Sequence, residues 1–128
     1  MDRGNAGTPA RLLETMYPGY VLGSGEELEA AMQLGVHLAV DVSHVFIQLT
    51  QGTMTDATWR RLSAYEHIGE VHVSANQGRH DTHMPMTRST FGLDWARERF
   101  AAGTPTVVEC YMHRLSPQAR RDQVGLMQ

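Results

Sequence analysis

The sequence contains no lysine; all 11 of its basic residues are arginine. That excludes a Schiff-base lysine from its chemistry. The net charge is −3, so the basic field that holds a polyanion is missing too, which argues against a nucleic-acid partner. A single cysteine, Cys110, excludes an internal disulfide framework and fits a reducing, cytoplasmic setting. No apolar run approaches the roughly 18 residues of a membrane span. The opening MDRGNAGTPA lacks the apolar stretch of a secretory signal and reads as a flexible tail, residues 1–10, ahead of one domain at 11–128.

What the chain does have is 41% apolar residues in 128, enough for a packed core. They fall into a recurring pattern. RLLETM (11–16) is a strand candidate. GSGEELEAAMQLG (23–35) is a helix with Ser24 as N-cap, Glu27 completing a capping box and Gly35 as stop. HLAVDVS (37–43) is an apolar, β-branched strand. TDATWRRLSAYEHIG (55–69) is helical, with Trp59, Leu62 and Tyr65 on one face. EVHVSA (70–75) is the next strand, STFGLDWARERFAAG (89–103) a helix, and TPTVVECYM (104–112) a strand. SPQARRDQVGLM (116–127) opens with Ser at the N-cap and Pro at N1. Strands alternating with helices at a spacing of about 30 residues predict an α/β fold of four βα units around a parallel sheet.

Each predicted strand carries one metal-capable residue near its carboxyl end: Glu14, Asp41, His72 and Glu109. In parallel α/β folds those ends form the ligand face. A carboxylate in a run such as VVECY is costly unless it is paired or metal-bound. His44 follows Asp41 by three, and Asp81 and His83 form an Asp-x-His pair in the loop after His72. In an extended loop the latter two share a face and reach one ion. Carboxylates with imidazoles suit Zn, Mn, Fe or Co better than Ca. His80 reads as exposed, His37 and His67 as structural residues at the opposite end of the strands, and His113 as a residue near the mouth. Trp59 and Trp95 read as packing, Cys110 as inert. Arg79 and Arg88 are placed to meet an anionic substrate group.

In this order the residues resemble the xylose isomerase-like TIM-barrel superfamily, which includes endonuclease IV and the sugar isomerases and epimerases. LLETM, LAVDVSH, GEVHVS, DTH and PTVVE carry the resemblance over residues 11–112. It is closest to the last four βα units of an eight-unit barrel, and so implies a parallel half-barrel of TIM (β/α)8 type. It also implies the ligand set: Glu14 from strand five, Asp41 and His44 from the Asp-x-x-His after strand six, and His72 from strand seven. Asp81 and His83 match the Asp-x-His of multinuclear members, and Glu109 the strand-eight glutamate. The multinuclear non-heme iron oxidative enzymes are similar as well, although an amide is expected there at His44.

The resemblance implies a divalent-metal-dependent enzyme acting on a small-molecule substrate. Glu14 and Glu109 would hold the metal and also move a proton in isomerisation or epimerisation of a hydroxy-carbonyl compound. Phosphodiester hydrolysis of the endonuclease IV type is the second reading and iron-dependent oxidation the third. A non-catalytic remnant or assembly subunit is the alternative outside enzymology. Four units leave two outer strands unpaired. A truncated relative whose copies self-associate, as a homodimer, is the favoured expectation; a separate partner chain would complete the barrel equally.

Overall fold

A computed structural model describes residues 11–128; the tail expected at 1–10 lies outside the described residues. The chain runs β1 (Leu13–Glu14), α1 (Gly25–Gln33), β2 (Leu38–Asp41), α2 (Val42–Gln51), α3 (Asp56–Ser63), β3 (Ile68–Val73), α4 (Leu93–Ala101), β4 (Thr106–Val108) and α5 (Pro117–Gly125). The four strands pair in sequence order, all parallel, as four consecutive βα units of a TIM-like arrangement. With every crossover right-handed, that order puts the connecting helices on one face of the sheet.

The helix-covered face is dry. Leu38, Val40, Val71 and Val73 pack there with Leu28, Leu62, Leu93 and Ala96, all at 2% exposure or less. Each of the Leu and Val side chains contributes roughly 1.5–3 kcal/mol by leaving water. Side chains alternate across a strand, so the intervening residues face the other way. Register pairs Glu14 with Ala39, Asp41 with His72, and His72 with Val107. This second face is therefore polar, and Val107 on it remains 42% exposed. On the edge strand β1, Leu13 stays half exposed.

Local chemistry accounts for most helix ends. The Ser24 hydroxyl accepts from Glu27 N–H at 3.3 Å, and the Glu27 carboxylate accepts in turn from Gly23 N–H at 3.2 Å, one residue before the expected partner. Ser116 caps α5, whose N1 is Pro117. Three expectations differ in extent. The edge strands are short, two residues in β1 and three in β4, so Glu109 follows its strand. The helix expected over 55–69 stops at Ser63, and β3 starts at Ile68. The strand expected over 37–43 ends at Asp41, because Val42 and Ser43 open α2, a helix not foreseen.

Two buried amides tie loops to this frame. The Gln48 side chain, on α2, donates to the carbonyls of Met16 and Leu22 and pins the segment after β1. Gln123, on α5, both accepts from Met86 N–H and donates to Met86 O, holding the loop after β3. Cys110 is buried and donates to the same Gln123 at 3.4 Å. Trp59 and Trp95 pack edge to face at 5.3 Å beside the core.

Candidate metal centre

The carboxyl ends of the four strands bring Glu14, Asp41, His72 and Glu109 together. One ligand atom from each lies within 4.8 Å of all the others, so the group could hold a metal ion. These are the four residues that the strand-end pattern singles out. Nδ1 of His72 faces Glu14 Oε2 at 3.2 Å, Glu109 Oε1 at 3.5 Å and Asp41 Oδ2 at 4.0 Å. Three carboxylates this close repel one another unless a positive charge sits among them.

Asp41 has two jobs on two oxygens. Oδ1 accepts from the Ser43 and His44 backbone N–H groups and from the Ser43 hydroxyl at 2.6 Å, capping α2. Oδ2 is buried and has no hydrogen-bond partner among the described residues. Such an oxygen costs free energy unless something cationic meets it. Burial accordingly pushes the Asp41 carboxyl up to about 6, against the pull of His44 and Ser43. An ion coordinated by Oδ2 would remove that penalty, and three carboxylates with one imidazole are a donor set suited to Mn, Fe, Co or Zn.

His72 is held from behind. Its Nε2–H donates to Glu70 Oε1, which leaves Nδ1 as the nitrogen turned to the cluster. A carboxylate on the far nitrogen of a ligating imidazole fixes its orientation and raises its basicity. Glu14, followed by Glu70, raises the His72 ring to about 9 in the metal-free protein. The same His72 contact holds Glu14 below the ordinary carboxylate range. Glu70 is absent from the residues picked out by sequence, yet the signal is there: two positions before His72 in a strand is the same face.

The remaining expected ligands, His44, Asp81 and His83, stand beside this group and outside the four-residue set. Asp81 Oδ2 lies 2.9 Å from His44 Nε2 and 3.2 Å from His83 Nε2. Both imidazoles turn Nδ1 to a backbone carbonyl, His44 to Thr15 at 2.7 Å and His83 to Glu109 at 3.0 Å. With Nδ1–H donating there, each Nε2 is the nitrogen left for Asp81 or a ligand. His44 Nε2 also lies 3.4 Å from Asp41 Oδ2. Burial lowers the His44 pKa, but Asp41, the Thr15 carbonyl and Asp81 outweigh it, and the net shift is upward. Tyr17 leans on the His44 ring at 4.8 Å; burial first, then Tyr20 and the nearby carboxylates, carry its phenol up to about 12.

The expectation that Asp81 and His83 share a face of an extended loop is corrected. His83 has φ +51°, in the left-handed region that a residue with a Cβ seldom adopts. With that backbone, rather than the i, i+2 alternation of extended chain, His83 Nε2 comes to 3.2 Å from Asp81 Oδ2. Thr15 is another residue the sequence conceals: its hydroxyl accepts from Asp41 N–H at 2.9 Å while its carbonyl orients His44.

Arg79 and Arg88 are both exposed. Arg79 lines a shallow recess with Tyr17, Pro18 and His80, near the His44 side. His80 and His113 are exposed as well. No helix among the described residues is long and apolar enough to cross a membrane. Comparison with family models, with curated proteins and with solved structures finds no match for this chain.

Proposed function

We propose that the chain is a divalent-metal-dependent TIM-barrel-type enzyme domain that isomerises or epimerises a small hydroxy-carbonyl, sugar-like compound. One observation carries the reading: a four-donor group closed by Glu14 and Glu109, in which the buried Asp41 Oδ2 accepts no hydrogen bond from the described residues. The metal, when bound, would polarise the oxygens of the substrate and acidify the adjacent C–H. The protein's own groups do the rest. Asp41 and His72 are the more enclosed donors and fix the position. Glu14 and Glu109 are a third exposed, so their carboxylates face the approaching substrate. There they are suited to take a proton from one carbon and return it to its neighbour. Arg79 and Arg88 would meet an anionic group on the substrate.

A second reading has its own observation. The His44–Asp81–His83 group presents two carbonyl-oriented imidazoles to one carboxylate and would hold a further ion, which favours metal-assisted phosphodiester hydrolysis or iron-dependent oxidation. The uncovered sheet face and the two outer strands would be closed by a second copy or by a partner chain.

The experiment is solvent exchange. The chain, loaded with Mn2+ in D2O and supplied with a ketose, should transfer deuterium to carbon beside the carbonyl, and Glu14→Gln and Glu109→Gln should each abolish the transfer. Hydrolysis of a bis-aryl phosphate without any deuterium transfer would overturn the isomerase reading in favour of the second.

A further inference from the structure

We infer that a cavity beside the ion-binding group, lined by none of its four ligands, is a site for a small uncharged organic molecule with an aromatic or aliphatic body and one hydrogen-bonding group. It lies between the start of α2 and the loop after β3 and has a volume of about 500 Å3. That is within the range of small-molecule sites and more than ten times the roughly 30 Å3 share of one water. Phe46 and Phe91, stacked at 5.6 Å and 25°, form one apolar wall, and Met84 and Pro85 form another.

Two features decide the ligand class. No side chain lining the cavity carries a charge. Met84, Pro85, Thr87 and Ser89 are exposed, so the cavity opens to water on that side; an ionised ligand would still lose part of its hydration with no counter-charge to replace it, which favours a neutral one. The second feature is Ser74, which lines the cavity at 1% exposure; its Oγ is buried with no hydrogen-bond partner among the described residues. A hydroxyl both donates and accepts, so an alcohol, phenol or amide group of a ligand would satisfy it once the Ser74 side chain turns into the cavity. The walls are anchored: Ala75 and Met84 exchange backbone hydrogen bonds at 3.0 and 2.7 Å, and Asn76 Nδ2 donates to Ser43 O at 3.0 Å. The loop held this way turns Asp81 and His83 to the ion-binding group and Met84 to the cavity.

The test is an amide NMR titration of the whole chain with benzyl alcohol, benzoate and benzylammonium. Benzyl alcohol should give saturable shifts at Ser74, Phe46 and Phe91 with a dissociation constant on the order of 1 mM. Ser74→Ala should weaken it about fivefold while leaving Mn2+ affinity unchanged, which reports that the fold is intact. Neither charged analogue should shift these amides. Absence of saturation by benzyl alcohol, equal binding of benzoate, or full affinity in Ser74→Ala would each overturn the inference.

Discussion

The two central strands bring titratable side chains together at both of their ends, with different results. At the amino ends, Leu38 lies opposite Ile68, and the preceding residues, His37 and His67, meet with ring centroids 4.8 Å apart. At the carboxyl ends, Asp41 lies opposite His72. The first pair is open to water: His67 is 37% exposed and the carboxylate beside it, Glu66 at 3.7 Å, is 83% exposed. The second is enclosed, with Asp41 at 1% and His72 at 13%, and two further carboxylates arrive from β1 and the segment after β4. Proximity of titratable groups is thus common to both ends. What separates them is exclusion of water and convergence from four strands, which turn mutual repulsion into a demand for a cation.

The sharpest way to break the contrast is to remove an imidazole from each end. His72→Ala should lower Mn2+ or Zn2+ affinity by more than about 100-fold, beyond the effect typical of an outer partner. His67→Ala should leave it unchanged. Isothermal titration calorimetry on both variants checks this.

The next test uses pH. The His72 ring has its pKa raised from 6.5 to about 9 in the folded, metal-free chain. A raised folded value means that the stabilisation is fully present below pH 6.5 and is lost as pH climbs through about 9. The change should approach about 3 kcal/mol and vanish in His72→Ala, as read by urea unfolding at several pH values. Because the ligating ring is neutral, metal affinity should rise over the same interval, up to about tenfold per pH unit, with proton release on binding.

Asp41→Asn sharpens the comparison with an effect of opposite sign. The Asp41 carboxyl is raised from 3.8 to about 6, so the stability it gives when protonated is lost as pH rises through about 6. An amide keeps an oxygen to cap α2 but carries no buried charge. The metal-free variant should be about 1–2 kcal/mol more stable than the parent at pH 7 while losing its ion affinity. Thermal and denaturant melts with and without Mn2+ would show it.

The smallest effect belongs to Glu70→Gln. The fold should be unchanged and metal affinity should fall about tenfold, since the amide orients the His72 ring less firmly and leaves it less basic. Competition with a chelating dye resolves a change of that size.

The strand-end residues were legible because parallel sheets put functional groups at carboxyl ends, and one acid or imidazole per apolar run marks each end. Helix α2 was not. Its first four residues, Val42, Ser43, His44 and Val45, are all buried, as are Ile47 and Gln48, so the segment lacks the polar stripe that reveals a helix. It also begins with β-branched Val42 directly after a strand, and its N-cap, Asp41, reads equally well as a strand residue. The left-handed backbone at His83 was hidden for another reason. A positive φ at a residue with a Cβ is imposed by its surroundings and has no local sequence signal. Glu70 stands at i, i+2 spacing on the His72 face, but an acid at the start of a strand reads as an ordinary exposed residue and gives no sign that it meets the ring.

X-ray absorption at the zinc edge of the Zn2+-loaded chain addresses the convergence most directly. The first shell should be dominated by oxygen, with an imidazole contribution that disappears in His72→Ala and persists in His67→Ala. An imidazole signal that survives loss of His72 and falls with His67 would contradict that convergence.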